Sequence, residues 1–356
     1  MVLRIAPTLF MSWFLFFPKM SSADYPSCAP GLTCSKITPS NHPNMHFDCA
    51  YVQPANARAL VYHMHGNDGP RSKGMFFDLM LQLSEAGFSS LACDQRGYSP
   101  EASPNEMPEY YYDKLVGDIF SIVNASGLNQ DPEGKFHLVA HDQGARVGWH
   151  AIGLGEGRRR FLSFSSLSIP HSDVFSDALY GPSADSDQQA AVQYVRMFIL
   201  PNSTTVYNDA ILNTVCKSFS HLDQPSCQRS LWWYNGAIDS GAEALAPLGP
   251  YGYVPKFIGI PPDVLANMTQ YPLDGVPQTV KVGYVKEFPV LFSCGAGDGS
   301  DLCKPKFGDQ SGKLIEKFKY LRMDAPCSHN ILKCPDAAQV QQLQDAIVAN
   351  IQSVYE

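Results

Sequence analysis

One fourteen-residue stretch constrains this chain more than any other: Phe136 to Trp149, FHLVAHDQGARVGW. Phe136-His137-Leu138-Val139-Ala140 is a short apolar run of the kind that forms a buried strand. His141, Asp142, Gln143 and Gly144 follow, and from Ala145 the sequence suits a helix. Ala140 and Gly144 stand two positions either side of Asp142. A side chain stands proud on so sharp a strand-to-helix turn only when such neighbours are small. This is the geometry of a nucleophile elbow, which usually carries Ser. Here the presented residue is Asp, a carboxylate that is ionised at neutral pH and can attack carbon directly. The product of that attack is an ester on the enzyme, which water must then open.

An elbow of this kind needs a base to activate the water and an acid to hold the base. The expected chain order is nucleophile, acid, His. Asp298 follows an apolar strand-like run, Phe288 to Cys294, in a Gly-rich turn. His329 lies in the loop after Lys319 to Met323. Both follow Asp142 at strand ends, where a doubly wound sheet collects its site. Asp301 is a rival acid, further past the strand.

The remaining pattern fits that frame. His46 to Val52 and Arg58 to His63 read as early strands, the second feeding His65-Gly66-Asn67-Asp68. Phe76 to Ala86 reads as a helix and Phe88 to Cys93 as a strand. Tyr110 to Asn124 reads as an amphipathic helix and Phe161 to Ile169 as a strand. Alternating strands and helices predict an α/β fold with a mostly parallel sheet covered on both faces. From His171 to about Val285 the text turns irregular and rich in Pro, Gly, Tyr and Trp. It is expected to form an inserted, mainly helical cap. The core is expected over 24–170 and 286–356, with Ala337 to Val354 as a closing helix.

The N-terminus carries Arg4, an apolar run from Ile5 to Phe17, and Ser21-Ser22-Ala23. That order predicts a secretory signal peptide over 1–23, and no stable membrane anchor, because the run is short for a span. Ten cysteines fit an oxidising destination. Cys216–Cys227 and Cys327–Cys334 are expected local pairs. Cys93 and Cys294, each ending an apolar run, are expected to be buried thiols. Asn124, Asn202 and Asn267 begin glycosylation triplets. The net charge of −8 and the lack of a basic stripe argue against a nucleic-acid partner. The oligomeric state is not written in the sequence.

The whole chain from about residue 45 resembles the α/β-hydrolase superfamily, and within it the epoxide hydrolases of the Asp-nucleophile branch. The resemblance rests on His65-Gly66, DQRGYSP at 94–100, HLVAHDQGARVGW at 137–149, LSIPH at 167–171, PVLFSCGAGD at 289–298 and the His329 loop. It implies a small-molecule epoxide as substrate, a vicinal diol as product, and neither metal nor organic cofactor. It implies oxyanion donors at the backbone N–H groups of Asn67 and Gln143, beside His65 and Gly66. It also implies two cap tyrosines on the epoxide oxygen: Tyr194, in QYVRMFILP, and Tyr234, in LWWY. Phenol O–H groups can donate to a developing alkoxide and then protonate it.

Two departures stand out. Asp68 occupies the place where such enzymes commonly have Pro after His-Gly-x, and Gln143 the place where many relatives have Trp. The related haloalkane dehalogenases use that Trp to hold halide. The fluoroacetate type places Arg directly after its Asp and again three residues on; Arg146 matches the second and Gln143 replaces the first. Both types would thus lose donors here, and dehalogenation stands as the alternative reaction. A secreted binding protein on a hydrolase scaffold is the alternative of another class.

Overall fold

A computed structural model describes residues 28–66, 73–182, 184–191, 280–300 and 302–356. Eight strands form one sheet: β1 Thr33–Ile37, β2 Phe47–Val52, β3 Leu60–Met64, β4 Ser89–Cys93, β5 Phe136–His141, β6 Phe161–Leu167, β7 Val290–Gly295 and β8 Phe318–Met323. Their order is β1-β2-β4-β3-β5-β6-β7-β8. The β1–β2 and β2–β4 pairs are antiparallel and all the others parallel. The central strands β3, β4 and β5 are buried at every position. That is why they read as unbroken apolar runs rather than as an alternation.

The helices are α1 Phe77–Glu85, α2 Tyr112–Ser126, α3 Gln143–Gly153, α4 Glu156–Arg160, α5 Ser172–Tyr180, α6 Ser186–Ala191, α7 Pro305–Lys313 and α8 Ala337–Gln352. Two apolar layers result. Trp149, Phe136, Phe164 and the inner face of α2 fill one. Leu79, Leu83, Phe88, Leu343, Ile347 and Ile351 fill the other, under α1 and α8. The expected α/β architecture is thus the one observed.

Three findings depart from the sequence reading. The edge strand β1 was not foreseen. Cys93 and Cys294 are not thiols: Cys49 pairs with Cys93, and Cys294 with Cys303. The reason is register. β2 runs antiparallel to β4 with Cys49 directly opposite Cys93, a cross-strand neighbour that local apolarity does not reveal. Cys28–Cys34 and Cys327–Cys334 complete the described disulfides. The second is the pair expected; Cys216 and Cys227 lie outside the described residues.

Of the expected cap, only its two ends are described, 171–182 with 184–191, and 280–285. The ends meet. The Asp173 carboxylate accepts from the Val282 and Gly283 amides at 3.0 and 2.7 Å. His171 Nε2 donates to the Gly283 carbonyl at 3.1 Å. The chain therefore leaves and re-enters the core at one place. Among the described residues no helix is long and apolar enough to cross a membrane.

Candidate active site

Parallel strands bring their carboxyl ends to one edge of the sheet, and the singled-out residues gather there. Asp142 follows β5 directly and has φ 49° and ψ −125°. Positive φ is costly for any residue with a Cβ. The turn holds because its neighbours allow it. A Cβ on Gly144 would lie 2.5 Å from the His65 carbonyl and 2.6 Å from that of Met64. A Cβ on Gly66 would lie 2.5 Å from both Asp142 Oδ2 and the Gln143 nitrogen. Both positions require glycine because backbone passes where a side chain would begin. The elbow inferred from the spacing of small residues is therefore real, and Asp142 sits on it.

His329, six residues past β8, bridges the two acids. Its Nδ1 lies 2.9 Å from Asp298 Oδ2 and its Nε2 3.3 Å from Asp142 Oδ1. Asp298 is nearly fully buried. Its other oxygen accepts from the Ser300 amide at 2.9 Å and the Ser300 hydroxyl at 2.5 Å. Burial alone would raise the Asp298 pKa, but the His329 charge and the bonds from His329 and Ser300 outweigh it and hold the carboxyl below its usual range. Burial likewise opposes charge on His329. The Asp298 charge and the contact with Asp142 override it, and the imidazole pKa stands well above its ordinary value. Asp301, the rival acid, lies outside the described residues.

Of the residues expected to receive an oxyanion, His65, Gly66 and Gln143 are described. Gln143 opens α3, so its N–H is one of those that helix geometry leaves without an intrahelical acceptor. Its side-chain Oε1 accepts from the Tyr112 hydroxyl at 3.0 Å. His65 is fully buried. Its Nδ1 donates to the Gly66 carbonyl at 2.8 Å and its Nε2 accepts from the Gln95 amide at 2.9 Å. That pair of bonds requires a neutral ring. His65 thus ties the end of β3 to the loop after β4. Asn67, Tyr194 and Tyr234 lie outside the described residues.

The Asp-x-Arg-Gly turn supports the same edge. Asp94 holds Lys73 through both its ammonium and its amide, at 2.5 and 3.1 Å, with both side chains buried. Arg96, fully buried, makes two 2.7 Å bonds to Asp118 on α2 and bonds to the backbone and carboxylate of Glu109. Three site neighbours escaped the sequence reading. The His329 carbonyl accepts from His141 Nε2 at 2.9 Å and from the Ser168 hydroxyl at 2.7 Å. Ser168 itself has φ 68°. Ser300 is the third. Only the Asp-x-Ser spacing of Ser300 carries a local signal, because such a turn lets Asp accept from the amide two residues on.

No family model matches the chain. Among curated proteins, the AB hydrolase superfamily protein YfhM of Bacillus subtilis is 29% identical over 147 residues, 40% of this chain and 47% of that protein. Bifunctional epoxide hydrolase 2 of Sus scrofa is 34% identical over 89 residues, 25% of this chain and 15% of that one. Epoxide hydrolase B of Mycobacterium tuberculosis is 31% identical over 96 residues, 27% and 25%. The matched stretch thus spans about half of the first relative and a quarter or less of the other two.

Solved structures match along nearly the whole chain. One, described among novel epoxide hydrolases of the α/β-hydrolase superfamily from metagenomes of hot environments, has a TM-score of 0.62 at 20% identity. It covers 91% of this chain and 98% of its own. An epoxide hydrolase from Bacillus megaterium, a mutant complexed with its diol product, has a TM-score of 0.57 at 17% identity, covering 90% and 100%. The eight-stranded sheet and these neighbours define an α/β-hydrolase fold. Within that class, the likeness first read from the motifs is to the epoxide hydrolases, the name that several relatives and neighbours carry.

Proposed function

We propose that this protein is a secreted epoxide hydrolase that opens an epoxide to a vicinal diol through an ester on Asp142. The observation that carries the reading is a carboxylate on a positive-φ elbow, 3.3 Å from an imidazole whose other nitrogen is 2.9 Å from a second, buried carboxylate. Asp142 attacks an epoxide carbon, the ring C–O bond breaks, and the oxygen leaves as an alkoxide. Tyr194 and Tyr234 donate to that oxygen and protonate it. Water then adds to the ester carbonyl as its proton passes to His329 Nε2. The Gln143 and Asn67 amides receive the oxyanion, and collapse releases the diol. The leaving oxygen takes the proton that water gave His329, and the proton left on the Asp142 carboxyl returns to His329.

The charges favour this order of events. In the resting site His329 lies between two carboxylates, which raise its pKa and favour its charged form. Attack by Asp142 converts one of those carboxylates to a neutral ester. The support for the imidazolium falls by one neighbouring negative charge, and its pKa falls with it. His329 then passes its resting proton to the tyrosinate formed in the first step and becomes a base at the step that needs one. Four disulfides on the described residues and the apolar leader support secretion, since such bridges persist in oxidising compartments.

The test is a panel of aryl, lipid and terpenoid epoxides offered beside fluoroacetate and bromoalkanes. Diol and free halide are assayed in parallel, with Asp142→Ala as control. Diol that vanishes in the control is the expected result. Halide release would establish the dehalogenase alternative. Neither product from folded protein would favour the binding-protein alternative.

A further inference from the structure

Asp298 and His329 sit on two separate loops, and each loop is a small covalent ring. Cys294, the next-to-last residue of β7, is bridged to Cys303, nine positions on, and Asp298 lies inside that ring. Cys327 is bridged to Cys334, seven positions on, and His329 lies inside that one. The rings also lean on one another through backbone. The Gly297 amide donates to the Cys327 carbonyl at 2.8 Å. A Cβ on Gly295 would lie 2.4 Å from the Ser328 carbonyl and 2.6 Å from that of Cys327. A Cβ on Gly297 would lie 2.9 Å from the Cys327 carbonyl. The four cysteines are buried.

We infer that the bridges Cys294–Cys303 and Cys327–Cys334, packed together at Gly295 and Gly297, are positioning devices that set the distance and orientation of Asp298 against His329. In the catalytic reading above, on which the kinetic part of this inference rests, they act on the second half of the reaction. The nucleophile lies in neither ring. Asp142 is placed by β5 and α3, so its attack on substrate does not need either bridge. Activation of water by His329 does, because a base turned away from its acid loses both its orientation and its basicity. A short disulfide loop removes backbone states that would otherwise have to be frozen out when the acid meets the base. The first ring starts inside β7 and the second encloses a 3-10 turn, Ile331–Lys333, so the constraint reaches the side chains.

The test compares wild type with C294S/C303S, C327S/C334S and Gly297→Ala. The last keeps both bridges and pushes the rings apart, so the inference is open to refutation even when a cysteine variant fails to fold. Two readouts are taken. The first is the level and half-life of protein-bound ester after mixing with an epoxide that wild type converts. The second is the pH titration of His329, followed by NMR with labelled histidine. It requires no turnover, and the groups it reports on are Asp142 and Asp298, with the His141 ring beside them at 5.0 Å.

Folded variants are expected to form ester at nearly the wild-type rate. They should hydrolyse it on the order of tenfold to a hundredfold more slowly, the range in which misplacing a reacting group by about 1 Å falls. The His329 titration should move down toward the ordinary histidine value. Unchanged ester half-life and unchanged titration in folded variants would overturn the inference and leave the epoxide reading intact. A shifted titration with no diol from wild type would support the positioning role and sink the epoxide reading instead.

Discussion

The half of the site around Asp142, the proposed nucleophile, and the half around Asp298 and His329, the proposed acid and base, are held by different means. Asp142 stands on a turn between a fully buried strand and a helix, and the packing, hydrogen bonds and ion pairs of the fold itself fix it. Gly66 and Gly144 admit close backbone, His65 ties two strand ends, and the Arg96–Asp118 and Lys73–Asp94 pairs brace the next loop. Asp298 and His329 stand on loops after β7 and β8, where two disulfides and three side-chain donors to loop carbonyl and carboxylate groups do the holding. A residue inside a sheet-to-helix turn is located by the fold itself. A residue out on a loop has to be located by added bonds. The contrast implies that damage to the scaffold around Asp142 distorts the elbow and destabilises the fold together. Damage to the second leaves a folded protein that stalls.

The largest effect should come from the nucleophile itself. Asp142→Ala is expected to lower diol formation by on the order of 10⁴-fold or more, as loss of a member of such a catalytic set does. Circular dichroism and the urea midpoint should stay close to wild type. Residual activity within tenfold of wild type would break the comparison at its base.

Next comes the bracing of that half. Arg96→Ala strands a buried Asp118 carboxylate and is expected to destabilise by about 3–5 kcal/mol, read from urea unfolding. Arg96→Lys should recover only part of this, because an ammonium cannot reproduce the two parallel bonds of the guanidinium. Gly144→Ala drives a methyl against two backbone carbonyls. It is expected to cost about 1–3 kcal/mol, the usual range for overpacking, and to lower activity beyond what the stability loss explains.

Acid should weaken the nucleophile half through its buried histidines. His63 on β3 and His137 on β5 are fully buried, and burial lowers the pKa of each to about 3. The unfolded chain binds protons at both below about pH 6.5 while the folded protein does not. Stability is therefore intact above that pH and declines as pH falls from 6.5 toward 3. By linkage each site should lose about 2 kcal/mol between pH 6.5 and 5. The urea midpoint at the two values checks this, and His137→Gln should flatten the slope. The smallest effect is Tyr112→Phe. It removes one hydrogen bond to Gln143, worth about 1 kcal/mol, and should slow ester hydrolysis only a few-fold.

How legible each half was follows from the same contrast. The elbow was readable because small residues flanking Asp142 report a purely local constraint. The order of Asp142, Asp298 and His329 was readable because the sheet delivers strand ends in a fixed sequence. The edge strand β1, TCSKI, was missed because it is largely exposed and lacks an apolar signature. The pairing of Cys93 and Cys294 was misread because their partners depend on antiparallel register and loop path, which neighbouring residues do not encode. His141 and Ser168 went unread for the same reason: each acts on a carbonyl more than 160 positions away. The cap tyrosines Tyr194 and Tyr234 and the Asn67 amide rest on motif resemblance alone.

The most direct test of the central claim is to trap the ester. His329→Gln removes the base and keeps a side chain of similar size, while Asp142 stays in place. The variant is mixed with an epoxide that wild type converts, quenched in acid, and analysed by intact mass and peptide mapping. The account expects one substrate mass added per protein, on the peptide that carries Asp142, with no adduct in Asp142→Ala/His329→Gln. Steady diol formation by His329→Gln with no adduct at any time would contradict it, because water would then be opening the epoxide without the carboxylate.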